Sequence, residues 1–377
     1  MLLLTGMPAP TANHELLLEA CLLPEDTGRE AFQRWEKSNG LDSADAMSAR
    51  LLPLLYYRLA AAGIEHPRLG ILKGVYRRSW YSNQQLIHRA AEVLRRFGSI
   101  GLPTMLLGCL PVAIQYYRDA AARPMESARI LVPEARIGQA IEVLEETGFR
   151  RITWAPRKIT ADFRRFRHAL RFGDGNGAKI DLHWRVVWLW SGETENRQFW
   201  DTSLPLDVGG TATRSLDPTA ELLLAGTLGP AGIADAALII GRGGVDWTRL
   251  RRLAVETRLA LPLRETLQYL AGRLQAPAPA EFLRELETAR VSGGDRRLHL
   301  WLAEPERLGV ISLASAFLNM NYRTIGGGSA VRAVAALPRF LQYYWQLDRP
   351  RDLPGRALLW VRERLRRSKM AVANRSG

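Results

Sequence analysis

Apolar residues recur at helical spacing through most of the first hundred positions of the chain. Two segments, HELLLEACLL at 14–23 and ADAMSARLLPLLYYRLAAAG at 44–63, repeat apolar residues every three to four positions, which predicts amphipathic helices. A longer segment at 79–101 has the same period and ends in glycine, as helix C-termini often do. Residues 1–101 are therefore predicted to form an N-terminal helical region.

The pattern changes at Leu102, where short apolar runs begin to alternate with helical segments. LPTMLLGCLPVAIQYY predicts a strand that ends at Gly108 and then a helix, and a second strand is predicted at 130–132 before a helix at 134–149. Two alternating runs at 165–186 flank GDGNG, whose residues accept the positive φ of tight turns, and so predict a hairpin. Residues 102–205 are predicted to be a small α/β core.

Helical patterns return after residue 200. The segment SLDPTAELLLAGTLG carries a helix start signal, an aspartate followed by proline and then an acid in the first turn. The sequence predicts a C-terminal helical region at 206–323, then a glycine-rich linker at 324–330, a basic amphipathic tail and disordered final residues. The predicted fold class is α+β, a small mixed β-sheet core flanked by N- and C-terminal helical regions.

The composition indicates the net charge of the protein and the cellular compartment in which we expect it. The 377 residues carry a net charge of +14, which favours polyanionic partners. No run of about 20 apolar residues occurs, and the N-terminus lacks the basic flank of a signal peptide. Cys21 and Cys109 lie in apolar surroundings, as reduced thiols do, so we expect a cytoplasmic protein without a disulfide framework. The six histidines are scattered and show no metal-binding spacing.

Four segments of the core occur in an order that resembles a known family. They are MLLGCLPVAIQYY, RPMESARILV, GF and IDLHWRV, and the flanks LLPLLYYRL and VDWTRLRRLAVETRL agree with them. This arrangement resembles the bacterial uncharacterised nucleotidyltransferases, within the DNA polymerase β-like superfamily, and covers roughly residues 14–285. The family pattern has an LKG strand end, then RPMxDxDLLV, and later an xDLHW strand. The resemblance implies a nucleotidyltransferase-like fold, and a role in surface polysaccharide or modified-peptide assembly.

Such enzymes transfer a nucleotidyl group with two divalent cations held by three carboxylates. In this sequence the two metal-binding aspartates fall on Ser127 and Arg129, and the third carboxylate falls on Asp181. The LKG lysine falls on Leu107, while Gly108 matches. A guanidinium cannot lose its proton, and at ~4 Å it would repel a dication by about 8 kcal/mol for an effective dielectric of ~20. The pattern therefore predicts no metal site and no cofactor, and favours a pseudoenzyme.

Two interpretations of the altered pocket remain open. In the first, the pocket persists and binds a nucleotide-like or phosphorylated ligand: Arg129 and Arg123 contact its phosphates and replace the metal electrostatically, while Asp181 pairs with Arg129 across the strands. In the second, Arg129 and Asp181 form a structural ion pair that closes the site, and the protein acts as a scaffold for a protein partner. The candidate ligand-binding residues are Gly108, Arg123, Glu126, Ser127 and Arg129.

The alternative is an active nucleotidyltransferase with unusual Mg²⁺ ligands. Asp181 and Glu126 would supply them with Asp119 or Asp174, although these last two have the neighbours of turn residues. His183 shares a strand face with Asp181, so the candidate catalytic residues are Asp181 and His183, the latter as a general base or a structural histidine. Trp184, on the opposite face, is predicted to belong to the core.

The tail supplies a third class of function. Residues 349–369 contain eight basic residues against two acidic ones, with leucines and a tryptophan among them. This composition is typical of a helix that lies on an anionic membrane surface, and it also suits nucleic acid or an acidic protein. The alternative is a helix that packs its apolar side on the body. No sheet-face aromatics that would stack bases are evident, which argues against sequence-specific nucleic-acid binding.

Overall fold

The computed structural model describes residues 10–39, 41, 44–156, 159–187, 193–228, 230–289, 291–303, 310–324 and 330–373. The predicted linker at 324–330 lies largely outside these ranges, and the final residues 374–377 lie wholly outside them. The α+β fold class is confirmed: helical regions at both ends flank one mixed β-sheet.

The N-terminal region is helical, as predicted. Its first helix is capped by the side chain of Thr11, and its third by Asp45, which accepts a hydrogen bond from the backbone N–H of Ser48. The fourth helix begins ten residues earlier than expected because Leu72 continues its buried stripe. The four helices are α1 (Ala12–Leu22), α2 (Glu25–Asn39), α3 (Ala46–Ala61) and α4 (Leu69–Ser99).

Seven strands form the sheet. They are β1 (Met105–Leu107), β2 (Ala128–Leu131), β3 (Arg150–Arg151), β4 (Ala169–Gly173), β5 (Lys179–His183), β6 (Leu204–Val208) and β7 (Thr211–Ser215). Their order is β3-β4-β5-β2-β1-β7-β6, with β2 parallel to β5, β1 parallel to β7, and the other neighbours antiparallel. The predicted hairpin is β4–β5. In the described ranges, four α-helices lie between the strands along the chain: α5 (Cys109–Tyr116), α6 (Ile137–Glu146), α7 (Ala161–Phe166) and α8 (Glu193–Asp201).

The sheet extends past the boundary predicted at 205. Residues 206–215 are predicted to open the helical region, but in the structure they complete β6 and form β7. Gly209 and Gly210 join the two strands with φ of 58° and 77°. Positive φ at both central residues is the requirement of the two-residue turn that best fits twisted antiparallel strands. The Gly-Gly pair between alternating runs was the available signal for this hairpin.

Strand alternation divides the core into two layers. Met105, Leu107 and Leu131 join one buried cluster, whereas their neighbours Leu106 and Ile130 join the other. Helix α4 supplies much of the second cluster, while the first contains residues of α1, α3 and the helices after the sheet. The helices after the sheet are α9 (Pro218–Ala225), α10 (Pro230–Arg242), α11 (Trp247–Glu256), α12 (Ala260–Arg273), α13 (Ala280–Thr288), α14 (Gly293–Ala303), α15 (Val310–Thr324), α16 (Ala330–Tyr344) and α17 (Leu353–Ala373).

The C-terminal helices pack on the body of the protein. Phe340 and Tyr343 of α16 are buried against the rings of Phe166 and Phe163, and Trp360 of α17 contacts the ring of Phe317. Removal of this segment would expose aromatic core. None of the helices in the described ranges is both long and apolar enough to cross a membrane.

Candidate functional site

Four side chains stand in one row across the centre of the sheet. The strand register aligns Arg171 on β4 with Asp181 on β5, Asp181 with Arg129 on β2, and Arg129 with Leu107 on β1. Because facing residues of paired strands point to the same side, these side chains share one face, the face that α9 and α10 cover. The row thus brings together two of the predicted site residues, Arg129 and Asp181.

Asp181 is the centre of a dense hydrogen-bond network. Its carboxylate, on a residue only 1% exposed, accepts bonds from Arg171 Nε at 2.6 Å to Oδ1 and from Arg171 Nη2 at 2.9 Å to Oδ2. Ser127 Oγ donates to the same Oδ2 at 2.7 Å. This two-point contact between guanidinium and carboxylate is the strongest common form of ion pair. Both carboxylate oxygens are therefore occupied by protein donors.

The charges of this pair stabilise each other. Burial by itself would raise the pKa of Asp181, but the hydrogen bonds from Arg171 and Ser127 outweigh it and hold that pKa below its usual value. The hydrogen bonds from Arg171 to Asp181 raise the pKa of Arg171 against the opposing effect of burial. Asp181 is thus ionised at neutral pH, with Arg171 as its counterion.

Arg129 does not pair with Asp181, which corrects a contact that both interpretations of the pocket assumed. Arg171 reaches Asp181 from the opposite strand neighbour and takes both of its oxygens. The side chain of Arg129 instead lies against Gly108, where a Cβ would stand 3.0 Å from its Nη1. Gly108 has φ 72° and ψ −135°, a conformation that glycine adopts without strain. Glycine here therefore leaves the space that Arg129 fills.

Arg123 is held in a second buried ion pair. Its Nε and Nη2 each donate to the carboxylate of Asp235 at 2.8 Å, and Tyr117 donates to that carboxylate as well. The carboxylate of Asp235 and the carbonyl oxygen of Pro124 occupy this guanidinium, so it anchors α10 to the sheet. This corrects the expectation that Arg123 contacts a phosphate.

Glu126 lies in the loop before β2 and is half exposed. It accepts a hydrogen bond from Arg171 Nη1 at 2.8 Å, and Lys179 and Arg50 lie within 3.8 and 3.9 Å of it. Glu126 therefore extends the network of Arg171 to the surface rather than joining Asp181 as a second metal ligand.

A small cavity lies next to this network, between the sheet and α9. It encloses about 90 Å³ and is lined by Gly108, Arg129 and His183 from the sheet side and by Glu221 from α9. This volume corresponds to about three water molecules and is well below the ~300 Å³ of the smallest typical ligand pockets. The site could enclose one small polar group but not a whole nucleotide.

Three of the cavity-lining residues have buried polar atoms without a hydrogen-bond partner. They are Nε of Arg129, both ring nitrogens of His183 and Oε1 of Glu221. Burial lowers the pKa of His183 to about 4, so its ring is neutral at pH 7. Burial, together with Asp235 and Asp217, raises the pKa of Glu221 well above its usual value, and Arg129 only partly opposes this shift. Besides the ion pair of Arg123 and Asp235, the cavity thus combines the unpaired cation of Arg129 with a neutral histidine and with a carboxyl group whose charged form is disfavoured.

The donor set does not fit a pair of magnesium ions. Mg²⁺ prefers carboxylate, phosphate and water oxygens, but Ser127, Arg129 and Asp181 offer a hydroxyl, a guanidinium and a carboxylate bound by Arg171. Asp119 and Asp174 lie in turns, as predicted, and accept bonds from nearby backbone N–H groups. Across the described ranges, no three His, Cys, Asp or Glu side chains are grouped to hold a metal ion.

Sequence reasoning missed three residues of the site: Arg171, Glu221 and Asp235. Arg171 had a usable signal, because a hairpin centred on GDGNG pairs position 171 with position 181. Glu221 was visible as the acid in the first turn of α9, but its burial depends on how that helix docks. Asp235 is far from Arg123 along the chain and carries no local signal.

Comparison with known proteins assigns the chain to a family. A family model described as "Uncharacterised nucleotidyltransferase" matches residues 44–271, more than half of the chain. The matched region contains the whole sheet and the cavity-lining residues described above. A search of curated proteins found no match.

Proposed function

Because the chain belongs to the uncharacterised nucleotidyltransferase family, we propose that it keeps the family fold without metal-assisted transfer and binds a phosphorylated, nucleotide-like ligand through Arg129. The observation that carries this proposal is a cation in the pocket with no counterion. Within the described residues, Arg129 makes no ion pair and no hydrogen bond, although it lines the cavity. Arg129 is partly buried and has no counterion, so an anionic ligand that pairs with its guanidinium would bind favourably there.

The loss of transfer chemistry is inferred from Arg171. Its guanidinium bridges Asp181 and Glu126, the carboxylates that an active enzyme with unusual ligands would need. Two-metal transfer requires cations on both the attacking and the leaving oxygen, and this guanidinium competes with them for the same ligands. A guanidinium binds phosphate oxygens directly, so Arg129 supplies ligand affinity without the metal.

The pathway in which the ligand occurs is inferred from the family resemblance and belongs to the same proposal. The resemblance implies surface polysaccharide or modified-peptide assembly, in which a metal-free family member would act as a sensor or carrier of a phosphorylated intermediate. If no phosphorylated ligand binds, the scaffold interpretation takes its place.

Calorimetric titration of ATP and of nucleotide-sugars, first in EDTA and then in Mg²⁺, tests the proposed function. We expect binding in EDTA, with an affinity that Mg²⁺ changes by less than about threefold, because the phosphate contact is made by a guanidinium. Arg129→Met should lose this binding, whereas the matched control Arg252→Met, at an exposed position of α11, should keep it. Binding that requires Mg²⁺, or nucleotidyl transfer to any acceptor, would contradict the proposal.

The tail supports a second candidate function, association with an anionic membrane surface. Leu358 and Leu359 of α17 are 53% and 52% exposed, although Trp360 beside them packs on the body. Arg362 and Arg366 are exposed and follow Leu358 at four-residue intervals, so they share its helix face. Exposed leucines beside arginines are the features of an interfacial helix.

Sedimentation with vesicles of phosphatidylserine and phosphatidylcholine tests this candidate on the full chain. We expect Leu358→Ser with Leu359→Ser to weaken binding at least about tenfold, since each leucine side chain would contribute ~1.5 kcal/mol or more when buried in the bilayer surface. The control pair Ile71→Ser with Val255→Ser changes equally exposed apolar residues elsewhere and should leave sedimentation unchanged. Equal sedimentation of both double variants would rule this candidate out.

A further inference from the structure

The polar groups around the cavity specify a ligand group more narrowly than the family fold does. Buried polar groups in proteins are almost always hydrogen-bonded, and an exception calls for an occupant. Here the residues that carry such exceptions, Arg129, His183 and Glu221, line one small cavity. Glu221 is only 1% exposed, so bulk water does not reach its free oxygen.

The charges of the cavity select an anion. Asp235 neutralises Arg123, and Arg171 neutralises Asp181, so neither pair leaves a net charge. His183 is neutral at pH 7, and burial disfavours the charged form of Glu221. Arg129 is then the uncompensated charge among the described lining residues. Water would satisfy its donors but would not neutralise it, whereas an oxyanion does both.

The hydrogen-bond donors of Arg129 and Glu221 also favour an anion as the occupant of the cavity. A guanidinium only donates, and a protonated carboxyl donates one bond from its O–H. An occupant between Arg129 and Glu221 must therefore offer several acceptor oxygens in different directions. A tetrahedral oxyanion offers them within a space of about 90 Å³.

We propose that the cavity between Arg129 and Glu221 binds a single phosphate-sized oxyanion, with Glu221 as its second anchor. The group is either free inorganic phosphate or the terminal phosphoryl group of a monoester whose remainder lies outside the cavity. This inference rests on the proposed function, because both need Arg129 to bind an anion without metal. Beyond the proposed function, it states that one phosphate group is sufficient for binding and that α9 supplies a binding residue, Glu221.

Calorimetry in EDTA with inorganic phosphate, with phenyl phosphate and with ATP tests the inference on the full chain. We expect inorganic phosphate to bind, and tighter binding of phenyl phosphate would identify a monoester as the source. Arg129→Met and Glu221→Leu should each weaken phosphate binding by about tenfold or more, the effect of losing one strong contact. Arg129→Lys, which keeps the charge but not the fork of donors, should fall between wild type and Arg129→Met.

Glu221→Gln separates a binding role of Glu221 from a purely structural one. The amide keeps a donor and an acceptor, so we expect phosphate affinity within about threefold of wild type. Tighter binding by tenfold would mean that an ionised Glu221 competes with the anion, and would overturn its role as an anchor. Thermal unfolding of each variant shows whether it is folded, and Arg252→Met again serves as the control.

The remaining outcomes separate this inference from the proposed function. If ATP binds through Arg129 but inorganic phosphate and phenyl phosphate do not, the single-phosphate inference is wrong and the proposed function stands. If phosphate binds equally to wild type and Arg129→Met, the anion lies elsewhere and the inference is wrong. If none of the three probes binds, both proposals fail.

Discussion

Asp181→Ala is expected to lower the free energy of unfolding by about 3–5 kcal/mol, the usual cost of removing one partner from a buried ion pair. Arg171 would keep its charge but lose both hydrogen bonds to the carboxylate, and Ser127 would lose its acceptor. Asp181 is 1% exposed, so water does not replace the carboxylate without a rearrangement of the strands. Urea unfolding followed by circular dichroism measures the loss.

Two further variants show whether the loss comes from the ion pair. Asp201→Ala removes an aspartate whose side chain is 65% exposed and whose nearest arginine is 3.8 Å away, and it should cost less than about 0.5 kcal/mol. The double variant Asp181→Leu with Arg171→Leu removes both charges of the ion pair. It should recover much of the stability that Asp181→Ala loses, because no unpaired buried charge remains. A loss below about 1 kcal/mol for Asp181→Ala would contradict the network as described.

We expect three substitutions together to create a site that binds a divalent metal ion. Ser127→Asp with Arg129→Asp places two carboxylates beside Asp181, at the positions that the resemblance implies for metal ligands, but we expect no Mn²⁺ binding while Arg171 still holds Asp181. Adding Arg171→Ala releases Asp181 and leaves three carboxylates without a cation. The triple variant should then bind Mn²⁺ and gain about 2.7 kcal/mol of stability at a metal concentration 100 times the Kd.

The matched control for this experiment replaces Arg171 alone. Arg171→Ala without the two new carboxylates should not bind Mn²⁺, because Asp181 and Ser127 do not make a sufficient ligand set. Thermal unfolding with and without Mn²⁺ measures the stabilisation. A folded triple variant that binds no metal would show that the strands no longer have the geometry of a metal site.

Much of the fold follows from local pattern. The turn residues of GDGNG specify the β4–β5 hairpin, and alternation along β1 and β2 assigns each residue to a layer. The signal DPTAE marks the start of α9, where Asp217 accepts bonds from two backbone N–H groups. The β6–β7 hairpin was missed because its strands carry threonines and an aspartate instead of an apolar run.

The site was predictable only in part. The motif order identified Ser127, Arg129 and Asp181, and the structure confirms that they lie side by side. Which arginine binds Asp181 depends on the antiparallel register of β4, and that register puts Arg171 there. Glu221 and Asp235 reach the site only because α9 and α10 pack against the sheet. Such packing between distant parts of the chain leaves no local sequence signal. The identity of the ligand is a proposal that rests on these contacts.

Titration of Mn²⁺ into the wild-type protein, with the free ion followed by electron paramagnetic resonance, tests the central claim most directly. The claim is that Arg171, and not a divalent cation, is the counterion of Asp181. We predict that the signal of free Mn²⁺ is the same with and without the protein at micromolar metal. Loss of signal equivalent to one or two ions per chain, abolished by Asp181→Asn, would contradict the claim and restore a metal-dependent enzyme.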